Sequence, residues 1–301
     1  MLVYSKLGKK GNLGNQLFQI ASTIGIATKN AHKFAFPEWE YSNYFVCDFP
    51  LYNPKLTFLS LKEKSYQYYD LKLDEGNYDL NGWFQSEKYF NIELVKIYFK
   101  FKPELINKIN KKYKISFSKK NILISIRRGD FVNHPYYFQL DYKYYFLAIT
   151  TQFIDWQDRN LIFTSDDITY CKKHFQFLQN AIFIEKTDVT DQLILASLCD
   201  DFVISNSTFS WWQAWLGESK STKVIRPVQN FRGNFRKKNN DKDYFPDRWI
   251  IFNPKSYNIE LKYFKLIVKG EFFKFVDLNR YYFKFTVKQI KEIIKKIIGR
   301  K

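Results

Sequence analysis

The sequence predicts an α/β protein built on parallel sheets, and three observations point there. The chain opens with a strand, a glycine-rich turn, a helix and a second strand, which is the order of a βαβ unit. In its second half, short apolar runs recur at residues 122–126, 161–163, 182–184, 202–204 and 224–225, separated by segments long enough for one helix each. Apolar runs of that length, bounded by polar turns, belong to strands covered on both faces. The 301 residues are enough for two units, each with its own core.

In order along the chain, a strand is expected over residues 2–7, followed by the turn 8–15 with Gly8, Gly11 and Gly14. Leu17, Ile20, Ala21, Ile24 and Ala27 then repeat at helical spacing and give one apolar side. A strand over 33–36 stops at Pro37, and the aromatic stretch 41–78 yields no assignment. The Lys-, Asn- and Ser-rich stretch 107–120 separates the halves, giving units over 1–115 and 116–252 and a tail over 253–301. Gln192, Leu193, Leu195, Ala196 and Leu198 belong to one helix of the second unit, and residues 211–216 to another, closed by Gly217. In the tail, Val287, Ile290, Ile293, Ile294, Ile297 and Ile298 share one helical face, with Lys288, Lys291, Lys295 and Lys296 on the others. That pattern fits either a helix lying on anionic lipid or one docked on the protein with solvated lysines.

Composition narrows the function classes. Cys47, Cys171 and Cys199 are too widely spaced for a zinc site or a disulfide framework, which suits a reducing compartment. His32, His134 and His174 form no pair at ligand spacing, so no metal is expected. Asp241, Lys242 and Asp243 have the form of a D-x-D metal motif, but no clear strand precedes them. The N-terminus carries no signal-like apolar segment, and no run approaches the ~18 apolar residues of a membrane span. A cytoplasmic protein is expected, peripheral on the inner face of the membrane if the tail binds lipid. The net charge of +18 is lopsided: residues 251–301 hold 13 Lys/Arg against 4 Asp/Glu. A nucleic-acid platform would interleave basic and aromatic residues on one surface, so no nucleic-acid partner is expected.

In doubly covered parallel sheets, ligands bind beyond the carboxyl ends of the strands. The loops there carry the candidate chemistry. After 122–126 come Arg127, Arg128, Gly129 and Asp130: two guanidiniums whose planar donor forks suit a diphosphate, or a surface turn with an Arg–Asp pair. After 202–204 come Ser205, Asn206, Ser207, Thr208 and Ser210 ahead of a helix, which is an anion site, a plain N-cap, or both. Trp212 and Trp215 are expected to pack beneath. After 161–163 come Asp166 and Asp167, able to accept from a ribose or a purine, or to cap a helix. Asp130, His134 and Glu38 are the candidates for a general base.

Taken together these loops resemble the α-1,2-fucosyltransferases of glycosyltransferase family eleven, bacterial type. The carriers are G-N-L-G-N-Q-L-F-Q-I-A at 11–21, G-W-F-Q-S at 82–86, the block 126–130, Ser165 with Asp166 and Asp167, and S-N-S-T-F-S-W-W-Q-A-W-L at 205–216. The resemblance implies a GT-B-like pair of Rossmann-like domains and inverting, metal-independent transfer of fucose from GDP-β-L-fucose, without a cofactor. The acceptor it implies is O2 of a terminal galactose in a lipopolysaccharide or capsule glycan, which in such enzymes is often lipid-linked. It also implies that Arg127 contacts the leaving β-phosphate and that Ser205, Asn206, Ser207, Thr208 and Ser210 bind the donor. Asn12, Gly14, Asn15 and Gln16 fall on the loop that closes over it. The family's H-x-R-R-G-D has Ser125 at its first position here.

Overall fold

Two all-parallel sheets form, one from each half of the chain, in a computed structural model that describes residues 1–113 and 119–298. The expected boundary at 115/116 lies outside the described residues, as do residues 299–301.

The first sheet has the order β2-β1-β4-β3, from β1 (Leu2–Val3), β2 (Phe34–Ala35), β3 (Leu59–Lys62) and β4 (Tyr78–Asn81). β1 is shorter than the expected 2–7 because Ser5 leaves the ladder. Its N–H and Oγ both bond to the Asp79 carboxylate, at 2.9 and 2.6 Å, and the chain turns as Leu7 N–H donates to Tyr4 O. α1 (Leu13–Lys29) follows the glycine turn. It was expected to bury one side, but it is buried nearly all round from Leu13 to Ala27. Its polar residues are absorbed locally: Thr23 Oγ1 donates to Gln19 O at 2.6 Å and Ser22 Oγ to Phe84 O at 2.8 Å. α2 (Ile92–Tyr98) and α3 (Pro103–Tyr113) lead towards the second unit.

The second sheet has the order β10-β9-β8-β5-β6-β7. Its strands are β5 (Asn121–Ile126), β6 (Asn160–Ser165), β7 (Ala181–Phe183), β8 (Asp201–Ile204), β9 (Val224–Pro227) and β10 (Ile250–Phe252). All five apolar runs of the second half became strands, and β5 is buried at every position because helices cover both faces. Counted from β5, the order is 3-2-1-4-5-6, the Rossmann order, with its switch point between β5 and β8. The covering helices are α4 (Tyr142–Gln152), α5 (Ile168–Phe175), α6 (Val189–Ala196) and α7 (Thr208–Gly217), while the short α8 (Gly233–Lys238) buries no residue and borders the cleft through Phe235. Gly217 is the last helical residue of α7, not a left-handed cap beyond it. α9 (Phe264–Ile298) carries the tail; it begins 23 residues before the expected Val287. The side chains of Ile293, Lys295, Lys296, Ile297 and Ile298 lie outside those described.

The two sheets with their helices make the GT-B-like arrangement that the resemblance implied. One apolar core runs through both units. Phe18 of α1 meets Trp211 and Trp212 of α7, with ring centroids 4.5 and 5.1 Å apart, and Trp212 stacks on Phe90 at 5.6 Å. Trp212 and Trp215 thus pack beneath the α7 start, as expected. Arg248 adds a two-pronged grip on Glu87, at 2.6 and 2.7 Å. A large apolar interface of this kind opposes free hinging, so the cleft between the units is largely preformed.

Candidate active site

A cleft of about 970 Å³ opens between the units, over the carboxyl ends of β5 and β8. Among the described residues that line it, Arg127 is the only Lys or Arg, while Glu40, Asp130 and Asp166 are the carboxylates. The large net charge of the chain is therefore not concentrated here.

The two adjacent arginines diverge. Arg127 faces the cleft, with Nη2 2.8 Å from Asp130 and Nη1 3.1 Å from Asp166. Its Nε is buried with no hydrogen-bond partner. Arg128 was expected to help hold a donor, but its side chain lies on the other side of the loop. There Nε meets Asp167 at 3.0 Å, Nη2 meets Asp277 of α9 at 2.6 Å, and the guanidinium lies over the Tyr170 ring. A Cβ at Gly129, between Arg128 and Asp130, would stand 2.5 Å from Asp166 Oδ2, so a larger residue there would push aside the carboxylate that holds Arg127. Asp166 also accepts from the Arg128 N–H at 2.9 Å, so one carboxylate fixes both the loop backbone and the Arg127 head. Asp167 does not line the cleft; it caps α5 by accepting from Tyr170 N–H at 3.0 Å.

Two helix N-termini converge opposite Arg127. α7 is capped by Ser207, whose Oγ accepts from Phe209 N–H at 3.2 Å, and Ser207, Thr208 and Ser210 all reach the cleft. α1 begins after Asn12, which makes no side-chain cap, so first-turn N–H groups remain for a ligand. Asn12, Gly14 and Asn15 line the wall here. Gln16 also borders it, but both ends of its amide are spent on Gly11 O and Trp39 Nε1. The partial positive charges of two helix starts add to that of Arg127.

The floor is a buried hydroxyl network. Ser125 Oγ lies 2.7 Å from Ser210 Oγ and 2.5 Å from Gln213 Oε1, and Ser205 Oγ lies 2.7 Å from Ser210 Oγ. Ser205 supports Ser210 from behind and does not itself line the cleft. Asn206 is buried and gives its amide N–H groups to Phe138 O and Asn230 O, which joins two neighbouring loops.

Residues 40–253 match the family described as Glycosyl transferase family 11. The chain belongs to that family. It is a glycosyltransferase, as the motifs implied. It is 28% identical over 283 residues to an alpha-1,2-colitosyltransferase of Escherichia coli, covering 80% of this chain and 96% of that one. A galactoside 2-alpha-L-fucosyltransferase of Caenorhabditis elegans is 27% identical over 183 residues, 56% of this chain and 50% of that one. Among solved structures, the fucosyltransferase NodZ from Bradyrhizobium superposes with a TM-score of 0.48 at 12% identity, covering 70% of this chain and 91% of that one.

This family 11 chain also lines its cleft with Tyr66 and Asn230, which no sequence motif marks, and with Trp83 and Gln85 of the block 82–86. Gln85 donates to Asn15 Oδ1 at 2.7 Å and accepts from Tyr66 Oη at 2.8 Å, and Tyr66 in turn accepts from Asn230 Nδ2 at 3.0 Å. This chain of side chains spans the cleft from unit to unit. The loop that carries Gln85 and Trp83 is held by Glu63, which accepts from the Trp83 and Phe84 N–H groups at 2.7 and 2.8 Å. Burial pushes the Glu63 carboxyl up, and those two N–H groups partly offset it. Phe84 has a φ of +48°, a strained conformation for a bulky side chain. The block 82–86 had been noticed only for its resemblance. An aromatic wall completes the cleft: Tyr136 stacks on Phe235 at 4.3 Å and Phe131 on Tyr137 at 4.1 Å.

Of the other candidate bases, Glu38 is exposed and outside the cleft, whereas Glu40 borders it. His134 sits behind the wall, its Nδ1 accepting from Tyr136 N–H at 3.2 Å; burial lowers its imidazole pKa, opposed by Asp130 and reinforced by Arg232. In the D-x-D stretch, Asp241 accepts from Asn230 and Phe231 N–H, and Asp243 accepts from Tyr68 N–H and pairs with Lys88. Both carboxylates are buried and spent on the protein. Among the described residues no cluster of three His, Cys, Asp or Glu could hold a metal ion.

Proposed function

We propose that the cleft binds GDP-β-L-fucose and transfers fucose, with inversion and without a metal, to O2 of a terminal galactose in a cell-surface glycan, the enzyme working in the cytoplasm. The observation that carries this reading is the convergence of Arg127 with two helix N-termini at the switch point of the second sheet. The diphosphate sits between them, and the stacked aromatic rings offer faces to guanine and sugar. The acceptor oxygen attacks the anomeric carbon as the bond to the β-phosphate oxygen breaks, and GDP leaves with the electron pair. Fixed positive charge at that oxygen stabilises the transition state. Arg127 is already flanked by two carboxylates, and the exposed one, Asp130, is the one a phosphate displaces. Once released, Asp130 takes the acceptor proton.

The family likeness to a colitosyltransferase favours a second donor, a GDP-linked colitose, in the same site. Turnover of GDP-fucose, GDP-colitose, GDP-mannose and UDP-sugars against a panel of β-galactosides, with the linkage read from the product by NMR, tests both readings. Transfer from GDP-fucose to O2 supports the first, and preference for GDP-colitose replaces it with the second. Absence of both transfer and GDP-fucose binding by calorimetry overturns the proposal.

A further inference from the structure

α9 is about 50 Å long at 1.5 Å per residue and has two unlike sides. One side docks on the second unit. Leu266 is buried there, Glu271 accepts from Tyr142 Oη at 3.0 Å and pairs with Lys143 at 3.0 Å, and Asp277 pairs with Arg128. On the opposite side, Val268, Phe272, Phe275, Tyr282, Phe283 and Ile290 fall within an arc of about 100° at 3.6 residues per turn. All six are exposed, Phe272 at 60%, Phe275 at 64% and Phe283 at 72%. From Leu278 to Lys291 only Tyr281 and Val287 are less than exposed.

The charges are sorted in the same way. Glu271 and Asp277 are both neutralised against the body. Arg280, Lys284 and Lys291 are exposed, form a basic flank outside the apolar arc and have no ion-pair partner among the described residues, whereas Lys269 is half-buried beside His174. An outward apolar stripe with a basic flank is the signature of a helix lying in a membrane interface, its apolar side in the acyl boundary and its cations on lipid phosphates. No helix among the described residues is long and apolar enough to cross a membrane.

We propose that the outward side of α9 is a docking surface for an anionic bilayer, entered by Phe272, Phe275 and Phe283 and flanked by lysines that meet the headgroups. The proposal does not depend on which sugar is transferred, because its readout is partition rather than turnover.

The test is flotation of the full chain with vesicles of phosphatidylcholine alone and with phosphatidylglycerol as a quarter of the lipid. The intact chain is expected to float with the anionic vesicles and much less with neutral ones. Two sets of substitutions at exposed positions, Phe272→Ser with Phe275→Ser and Phe283→Ser, and Arg280→Glu with Lys284→Glu and Lys291→Glu, are each expected to lower the bound fraction about tenfold. Circular dichroism checks the fold of each variant, and the charge set stands as the test if the apolar set misfolds. Equal binding to both vesicles, no binding, or flotation of both variants like the intact chain overturns the proposal. So does light scattering that finds a stable dimer which the serine variant breaks, without lipid binding; a second copy then covers the stripe.

Discussion

Gly14 at the start of α1 lies so close to Phe209 at the start of α7 that a Cβ on Gly14 would stand 2.6 Å from the Phe209 backbone nitrogen. Thr208 Oγ1 would be equally crowded, at 2.8 Å. Two helices from different units thus bring their positive ends together, and the absence of one side chain permits it. Gly14→Ala is expected to push the ends apart, destabilise the protein by about 1–3 kcal/mol and weaken donor binding. Urea unfolding and GDP calorimetry check it; an unchanged GDP affinity would remove α1 from the donor site.

Arg127→Ala removes the only cation among the described cleft residues. If charge at the β-phosphate lowers the barrier, kcat falls about 10²–10³-fold, with a smaller effect on donor KM. Steady-state GDP release measures both. A change confined to KM would make Arg127 a binding residue only.

Asp130→Asn separates the two carboxylates that flank Arg127. Asp166 keeps its contacts, so donor affinity should hold while kcat drops about 10²–10⁴-fold. Equal activity in the variant would remove Asp130 as base and turn attention to Glu40.

Ser125→His restores the residue that the family motif carries. Ser125 is buried in the cleft floor with its Oγ bonded to Ser210 and Gln213, and an imidazole there breaks both contacts. The variant is expected to lose about 1–3 kcal/mol of stability and some activity, read by thermal melting and kcat/KM. A gain in both would show that the floor repacks around histidine.

His174 predicts a pH dependence of stability. It is packed between α5 and α9, against the rings of Tyr170, Tyr142 and Phe273, with Arg128, Lys269 and Asp277 nearby. Burial lowers its pKa from 6.5 to about 4, so the folded protein resists a proton that the unfolded chain accepts. Its contribution is full above pH 6.5 and lost as the pH falls to about 4, up to about 3 kcal/mol in all. His174→Phe should flatten urea midpoints across that window; an unaltered slope would assign the acid sensitivity to other groups.

The second sheet was legible because buried parallel strands leave apolar runs that few other elements produce, and Ser207 with its tryptophans marked α7 as clearly. β3 and β4 were not, since each alternates over only four residues, Leu59–Lys62 and Tyr78–Asn81, and β3 exposes most of its side chains, so neither stands out from the aromatic, irregular stretch around it. β10 is a three-residue strand at the sheet edge with two exposed positions, which gives little signal. α1 differed in one respect: one apolar side was expected, but the helix is buried nearly all round, with Gln19 Nε2, Ser22 Oγ and Thr23 Oγ1 donating to the backbone carbonyls of Lys10, Phe84 and Gln19. In the site, the residue types were readable but their directions were not. Whether Arg127 or Arg128 faces the cleft depends on Asp166 and Asp277, which lie 39 and 149 positions away from them. The aromatic wall and the support from Glu63 are likewise long-range and leave no local pattern.

The tether from Arg128 to Asp277 bears on how this enzyme is dissected. Cutting the chain after the family-matched stretch removes Asp277 and leaves a nearly buried guanidinium short of one carboxylate, beside the backbone that aims Arg127. A shortened enzyme that lost activity would then report a disturbed donor loop, not a lost anchor. Engineers who trim the tail for solubility should keep α9 through at least one turn beyond Asp277 and blunt its outward aromatics individually.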